Sequence, residues 1–375
     1  MNRSMQNPIE SWLFRDKVIL LFGARQVGKT TLAKSILEKH GSSKDYYLCE
    51  HPEVRQVLLS ENPDLIFSFF NQAKLIVLDE AQYIENIGRI LKILHDVRPE
   101  CQIIATGSSS FDLANKLNEP LTGRAIQFMI YPLSLGEFAQ TETPLTLKTK
   151  LSEWLIYGMY PGLLNLNASE KAILLTQLTG QYLYKDVLMF ENLKNTQKIM
   201  QLLKLLALQM GQEVSIHELA QQLGISRNTV ERFLDTLQKM FVIVKIGSFS
   251  RNLRKELSKK AKYYFYDLGI RNSILNHYAP LELRQDLGAL WENFCAVERI
   301  KFWHNQMQHP NFYFWRTHDQ QEIDWLEEHN GKLTGLEFKW KKPTRFKPPA
   351  IFLETYPNTS IQLIDPLHYL ALTRP

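Results

Sequence analysis

The sequence predicts an α/β protein of several domains, and three observations support this prediction. An apolar, strand-like run at residues 18–22 passes directly into the glycine-rich segment GARQVGKT at residues 23–30, and a helix-like pattern follows. Strand-like and helix-like patterns then alternate to about residue 140, which is typical of a parallel sheet covered by helices. A second group of strand-like patterns begins at residue 311, after a long predicted helix.

The segment at residues 23–30 is a complete P-loop. Glycines at its two ends allow backbone N–H groups to surround phosphate oxygens, Lys29 reaches the β- and γ-phosphates, and the Thr30 hydroxyl is placed to ligate Mg²⁺. The helix predicted at residues 31–39 would add its N-terminal amides. ATP with Mg²⁺ is therefore the expected ligand pair. The residues expected to bind the nucleotide are Gly23, Ala24, Arg25, Gln26, Val27, Gly28, Lys29, Thr30 and Thr31.

An acidic pair ends the apolar strand predicted at residues 74–80, in a Walker B pattern. Asp79 is expected to hold the Mg²⁺ shell together with Thr30, and Glu80 to polarise the attacking water. A carboxylate pair at this place predicts hydrolysis of ATP as well as binding. The alternative is a glycine-rich turn and an acidic strand end that hold no ligand.

Hydroxyl side chains end the next predicted strand, in the segment TGSS at residues 106–109. If this strand is adjacent to the Walker strands, Thr106 or Ser108 is a candidate sensor of the γ-phosphate, and a hydroxyl-rich turn is the alternative. Arg124 is a candidate for neutralising transition-state charge, either in its own subunit or in a neighbouring one. The second possibility would require a homo-oligomer.

Composition and charge limit the classes of protein. The 375 residues are 45% apolar, enough for two or three domains with cores. The net charge of +5 is mild, but positive charge is concentrated at residues 251–262 and 339–347, which indicates either a footprint for a phosphate backbone or solvated loops. The wide spacing of Cys49, Cys101 and Cys295 argues against a zinc site or a disulfide framework and indicates a reducing compartment. With no signal-peptide pattern and no 18-residue apolar run, the expected location is the cytoplasm, without a membrane partner.

Residues 215–230 predict a helix-turn-helix, because a helix-like pattern, a turn at Gly224 and a second helix-like pattern follow one another. Arg227, Asn228 and Arg232 would face a groove of DNA. Two predicted strands, at residues 241–246 and 262–266, then form a wing with the basic residues 251–260 at its tip. Modules of this kind also serve as dimerisation or lid domains, so a protein partner is the alternative to DNA. Before this module, residues 148–210 show helical spacing that indicates core packing only.

The C-terminal part combines a predicted helix that carries Glu292 with three predicted strands. Asp324 lies in the second strand, and Glu337 and Lys339, two residues apart, face the same side of the third. This is the order of a PD-(D/E)xK nuclease centre. Asp324 and Glu337 would hold Mg²⁺, Lys339 would orient or deprotonate the attacking water, and Glu292 would add a metal contact. A surface hairpin with an ordinary ion pair, or a nuclease fold that has lost catalysis, is the alternative.

These motifs together resemble a large prokaryotic family of AAA+-like ATPases that end in a restriction-endonuclease-like domain of unknown function. The resemblance covers nearly the whole chain and depends on the order of the P-loop, LDEAQ at residues 78–82, TGSS, GR at 123–124, YPLS at 131–134, KYYFYDLG at 262–269 and the block 315–339. The family usually has a glycine pair before a proline where this chain has YGMYPG at residues 157–162. The resemblance implies an ATP-binding domain, a winged helix and a nuclease-like C-terminus.

The predicted fold is therefore a P-loop NTPase parallel sheet with a helical lid, a winged helix-turn-helix and a PD-(D/E)xK-like α/β domain. The expected domain bounds are 1–140, 141–210, 211–280 and 281–375. The leading hypothesis is Mg²⁺-dependent ATP hydrolysis coupled to DNA binding, with cleavage of DNA by the C-terminal domain. The alternatives are a nucleotide-dependent binding switch with an inactive nuclease-like domain, and a regulatory ATPase whose winged helix contacts only protein.

Overall fold

The structure is a computed structural model, and it describes residues 3–108, 121–183, 196–249, 261–317, 319, 321–341 and 343–375. The chain divides into two compact units, one formed mainly by the residues up to Leu133 and the other mainly by the residues from Ser134 onward. Each unit is built around its own β-sheet.

The first unit alternates strands and helices, as the sequence predicts. Its strands are β1 (Val18–Gly23), β2 (Tyr46–Leu48), β3 (Leu75–Asp79), β4 (Gln102–Ser108) and β5 (Ala125–Met129). Its helices are α1 (Gln6–Glu10), α2 (Lys29–His40), α3 (Pro52–Leu59), α4 (Pro63–Phe69) and α5 (Ile87–Val97). The strand patterns that the sequence shows at residues 18–22 and 102–106 are confirmed, whereas β2 and β5 were not predicted.

The sheet of the first unit is parallel and has the order β2-β3-β4-β1-β5. Central strands β1, β3 and β4 are buried along their whole length, which their apolar runs explain. Strand β4 lies between β1 and β3, so the adjacency expected for the TGSS strand is confirmed. Because the strands are parallel, the carboxyl ends that carry Gly23, Asp79 and Ser108 meet at one edge of the sheet.

In the described part of the second unit, four α-helices precede the first strand of the sheet. Its helices are α6 (Leu135–Ala139), α7 (Pro144–Tyr157), α8 (Ala168–Gln177), α9 (Thr196–Leu208), α10 (Ile216–Leu223), α11 (Arg227–Lys239), α12 (Leu268–Ile274), α13 (Leu287–Asn305) and α14 (Ala350–Thr355). Its strands are β6 (Glu213–Val214), β7 (Ile243–Ser248), β8 (Ala261–Phe265), β9 (Asn311–Arg316), β10 (Glu322–His329), β11 (Lys332–Phe338) and β12 (Ser360–Ile364). Gly224, in the left-handed conformation, separates α10 from α11 as the sequence predicts.

One sheet in the described part of the second unit runs through β12-β11-β10-β9-β7-β8-β6. Strands β9, β10 and β11 are antiparallel, and β12 pairs parallel with β11. The pairing of β7 with β9 at Gly247–Tyr313 and Ser248–Phe314 joins the strands expected in the winged helix to those expected in the nuclease-like domain. The boundary expected at residue 280 is therefore not a break in the sheet, and the division into four domains stays a prediction. Among the described residues, no helix combines the length and the apolar character that crossing a membrane requires.

Candidate functional site

The P-loop connects buried β1 to α2 and places Lys29 at the first position of that helix. Gly28, at the N-cap, has a φ of 99°, a conformation that favours glycine. A Cβ on Gly23 would lie 2.1 Å from the backbone oxygen of Ile130, so the loop needs glycine there. The buried ammonium of Lys29 donates to the backbone oxygens of Gly23 and Ala24 at 2.9 and 2.8 Å. The expected binding residues 23–31 thus form one continuous loop and first helical turn.

Buried Asp79 is the centre of a hydroxyl network at the end of β3. Its carboxylate accepts from Thr30 Oγ1 at 2.9 Å, from Tyr46 Oη at 2.5 Å and from Thr106 Oγ1. Burial raises the pKa of Tyr46, and the hydrogen bond to Asp79 adds to this rise, so the phenol stays a donor. The sequence predicted Thr30, Asp79 and Thr106 as site residues but missed Tyr46, because β2 was not predicted.

Glu80 takes a left-handed conformation, with a φ of 56° and a ψ of 44°. This is unusual for a residue with a side chain and turns the chain sharply at the end of β3. The Glu80 N–H donates to Thr106 Oγ1 at 3.1 Å, and the Glu80 carboxylate accepts from the Gln82 side chain. The half-buried Glu80 carboxylate therefore follows Asp79 directly at the edge where the P-loop begins.

Of the two serines in the TGSS segment, the structure describes one. Ser108 is buried and lies opposite Gly23 in the pairing of β1 with β4, so it is next to the P-loop. Ser109 lies outside the described residues. Arg3, which the sequence analysis missed, supports the loop from the other side, because its guanidinium donates to the backbone oxygens of Val27 and Tyr131, each at 2.6 Å.

Arg124 is not brought to the phosphate site in its own subunit, which corrects that part of the prediction. It immediately precedes β5, and its backbone oxygen accepts from Val18 N, at the start of β1. The P-loop begins at the other end of β1, about 16 Å away at about 3.3 Å per residue. The Arg124 guanidinium pairs instead with Asp96, at 2.6 Å. A role in a neighbouring subunit stays a prediction.

The C-terminal residues predicted from the PD-(D/E)xK order do converge. Lys339 Nζ lies 2.6 Å from Glu337 Oε1 and 3.4 Å from Asp324 Oδ2. Asp324 Oδ2 also accepts from the backbone N–H of Phe338 at 2.9 Å. Burial raises the pKa of Glu337, and the charge of Asp324 adds to the rise, while Lys339 opposes it. Two buried carboxylates therefore share one partly exposed lysine.

Glu292, on α13, lies near these two carboxylates, but Lys262 pairs with it. The sequence placed Lys262 at the end of a basic segment, residues 251–262. Lys262, on β8, is only 2% exposed, and its ammonium is 2.9 Å from Glu292 Oε1 and 2.6 Å from Glu322 Oε1. Tyr264 Oη donates to Glu292 Oε1 at 2.7 Å. Burial raises the pKa of Glu292, and the nearby charge of Asp324 adds to this rise against the effect of Lys262.

The two expected metal sites differ in how well the residues fit. At the P-loop the residues fit Mg²⁺, because Thr30 and Asp79 bring hard oxygen donors within hydrogen-bond distance of each other beside Lys29. At the C-terminal centre the fit is poorer, because Lys262 pairs with Glu292 and Lys339 pairs with Asp324 and Glu337. Among the described residues, no group of three or more histidine, cysteine or acidic side chains is placed to hold a metal ion at either site. The metal roles expected of Glu292, Asp324 and Glu337 stay a prediction.

The expected DNA-reading helix, α11, has a mixed surface. Arg227, Asn228 and Arg232 are exposed, as predicted, but Glu231 and Asp235 are exposed beside them. Arg227 contacts the ring of His217 on α10 at 2.9 Å and so is less free than predicted. Of the two basic segments, residues 251–260 lie outside the described residues, and the second exposes Lys341, Arg345 and Lys347.

The fold and the site of the first unit define its class, a P-loop α/β domain that resembles those of AAA+ ATPases. Residues 15–139 match a family model described as an AAA domain, and this match supports a P-loop ATPase that binds ATP. Residues 148–280 and 287–365 match two further models, each described as a domain of unknown function, DUF8612 and DUF4143.

The chain is also similar to proteins of Mycobacterium tuberculosis and Methanocaldococcus jannaschii. An uncharacterized protein of Mycobacterium tuberculosis is 27% identical over 332 residues, covering 87% of this chain and 71% of the relative. An uncharacterized protein of Methanocaldococcus jannaschii is 26% identical over 325 residues, covering 78% of this chain and 72% of the relative.

Likenesses among solved structures are weaker. AMPPCP-bound DnaA from Aquifex aeolicus is 16% identical with a TM-score of 0.28, covering 63% of this chain and 86% of that chain. PCH-2 of C. elegans is 15% identical with a TM-score of 0.28, covering 41% of this chain and 48% of its own length. Scores of this size carry no functional argument.

Proposed function

We propose that this chain hydrolyses ATP at the P-loop with Mg²⁺ and uses the nucleotide state to switch the binding of a partner, with DNA as the leading candidate. The observation that carries the proposal is the Asp79 network. Thr30 from the P-loop helix and Thr106 from β4 both donate to the Asp79 carboxylate, and Thr106 also fixes the backbone of Glu80. Residues from two other segments, α2 and β4, thus support the segment that carries Asp79 and Glu80.

The roles of the residues follow from their chemistry. Lys29 and the backbone N–H groups of the P-loop bind the phosphates, and Thr30 and Asp79 would hold the Mg²⁺ ion that neutralises their charge. Glu80, directly after Asp79, orients the attacking water and accepts its proton. Thr106 links the Asp79 carboxylate to the backbone N–H of Glu80 and would respond to the γ-phosphate.

Two single substitutions test the ATPase proposal. We expect Lys29→Ala to weaken ATP binding about 10- to 100-fold, because a charged hydrogen-bond donor is lost. We expect Glu80→Gln to bind ATP normally but to hydrolyse it about 10²- to 10⁴-fold more slowly, as removal of a general base does. Lys44→Ala, at an exposed lysine of the same unit, is the matched control. Unchanged turnover in both site variants would refute the proposal.

For the output we favour a binding switch over DNA cleavage, because Glu292, the third carboxylate expected at the nuclease centre, is held by Lys262 and Tyr264. Support for DNA comes from Arg227, Asn228 and Arg232 on the exposed face of α11. Fluorescence anisotropy with duplex DNA, with and without ATP and across a salt series, tests this output. We expect ATP-dependent binding that weakens with salt and with Arg232→Ala. Salt-independent or absent binding would favour a protein partner.

Plasmid cleavage in Mg²⁺ or Mn²⁺, with and without ATP, separates the switch from a nuclease. We expect the wild-type chain to leave the plasmid intact. Cleavage that disappears in Lys339→Ala would overturn the switch and restore the nuclease hypothesis.

A further inference from the structure

Lys262 is a deeply buried charged group near the C-terminal carboxylates. It lies on β8, the penultimate strand of the second unit's sheet, its side chain is 2% exposed, and its ammonium is 5.3 Å from the centre of the Phe314 ring. A lysine in such a place is stable as a cation only if carboxylates face it. Glu292 and Glu322 do so, at 2.9 and 2.6 Å.

The charges around Lys262 keep it protonated. Burial alone would lower the pKa of Lys262, but Glu292, Glu322 and Asp324 raise it above its usual value. Arg316 lies 4.0 Å from the other oxygen of Glu322, so that carboxylate is shared between two cations. Three cations of the protein, Lys262, Arg316 and Lys339, therefore lie against the acidic groups of this region.

Protein donors already occupy one oxygen of Glu292. Its Oε1 atom accepts from both Lys262 and Tyr264, which lie two residues apart and therefore on one face of β8. Its Oε2 atom faces Gly211, where an added Cβ would be 3.2 Å away. A metal ion bound to Oε1 would have to displace the ammonium of Lys262.

We propose that Lys262 is the resident cation beside Glu292 in the C-terminal acidic centre, so that Glu292 is a counter-ion for lysine and not a metal ligand. This inference concerns the second unit alone and does not depend on ATP hydrolysis at the P-loop. It also assigns a role to the first and third positions of KYYFYDLG, which supply the ammonium and the phenol that hold Glu292.

The number of Mn²⁺ ions bound per chain, measured by electron paramagnetic resonance, is the first test. We expect the full-length wild-type chain and Glu292→Gln to bind the same number, because any Mn²⁺ at the P-loop is common to both. A lower number for Glu292→Gln would show that Glu292 ligates metal and would overturn the proposal.

Removal of the ammonium is the second test. We expect Lys262→Met to lower the melting temperature by about 10 °C, since it leaves buried carboxylates unpaired. The double variant Lys262→Met/Glu292→Gln should recover part of this loss, because it removes one of those charges. Lys332→Met, at an exposed lysine of the same unit, is the control. A Lys262→Met chain that melts like the control would overturn the proposal, as would a double variant less stable than the single one. If Lys262→Met does not fold, recovery of folded protein in the double variant is the supporting result and its absence the overturning one.

Discussion

The Thr106 hydroxyl donates to the carboxylate of Asp79 and, on the same strand end, accepts from the backbone N–H of Glu80 at 3.1 Å. One hydroxyl therefore fixes both the residue that would hold the Mg²⁺ shell and the backbone of the residue that would activate water. This arrangement exists because β4 lies between β1 and β3.

We expect Thr106→Val to slow ATP turnover about tenfold while ATP still binds, because two hydrogen bonds that hold Asp79 and Glu80 are lost. Steady-state turnover and nucleotide affinity, measured together, check this. Thr106→Ser keeps the hydroxyl and should retain most of the activity. If the serine variant were as slow as the valine variant, the methyl group rather than the hydrogen bonds would be responsible.

We expect Arg124→Ala to leave ATP turnover unchanged at protein concentrations where the chain is monomeric. In its own subunit Arg124 lies at the opposite end of β1 from the P-loop and pairs with exposed Asp96. Turnover measured across a dilution series checks this. A lower turnover of the variant in dilute protein would contradict the placement, whereas a loss confined to concentrated protein would indicate that Arg124 acts on a neighbouring copy.

We expect Gly158→Ala to destabilise the second unit by about 2–4 kcal/mol, through backbone strain and overpacking. Gly158 has a φ of 76°, and a Cβ there would lie 2.0 Å from Asp267 Oδ1. Gly288→Ala is the control, because a Cβ at that helical position meets nothing within 4 Å. Thermal melting of both variants checks the prediction. Equal melting temperatures would show that the close approach of Gly158 to Asp267 is not rigid.

We expect the stability of the second unit to depend on pH through Asp267. Burial raises the pKa of Asp267 to about 6, from an ordinary value of 3.8, against the opposing effects of the backbone N–H of Met159 and the charge of Lys301. The folded state then holds a proton that the unfolded state releases first. The stabilisation is therefore complete below about pH 4 and is lost as the pH rises through about 6.

The comparison of wild type with Asp267→Asn isolates this effect, since asparagine keeps an oxygen that accepts from Gly269 N–H. The stability of the wild type relative to the variant should fall by about 3 kcal/mol between about pH 3 and about pH 7, at 1.36 kcal/mol per pKa unit. A difference that does not change with pH would mean that Asp267 titrates normally.

Local sequence patterns were sufficient for the P-loop site. Lys29, Thr30 and Asp79 each follow from a strand, a glycine-rich turn and an acidic strand end, features that depend on neighbouring residues only. The adjacency of Thr106 followed from the general rule that parallel strands present their ends together. Tyr46 was missed because β2 is only three residues long and pairs at a distance.

The wrong predictions have a common physical cause. The position of each of these residues depends on contacts between segments that are distant in the sequence. Arg124 was predicted as a site residue because β5 was not predicted. The pairing of β5 with β1 determines which end of the sheet Arg124 occupies. Lys262 looked like part of a basic surface because its neighbours in sequence are basic, while the carboxylates that bury it come from α13 and β10. No local pattern reports such contacts.

The pairing of β7 with β9 has a mechanical consequence. The family matches divide the chain between residues 280 and 287, yet backbone hydrogen bonds cross that division at Gly247 and Phe249. The division between the two family matches is therefore not a hinge in the sheet. A force applied to the helix pair α10–α11 reaches the carboxylate strands through a continuous ladder of peptide groups. Separating the two matched regions between residues 280 and 287 would expose the edge of β7 to pairing with other molecules. The two regions should therefore be expressed as one chain.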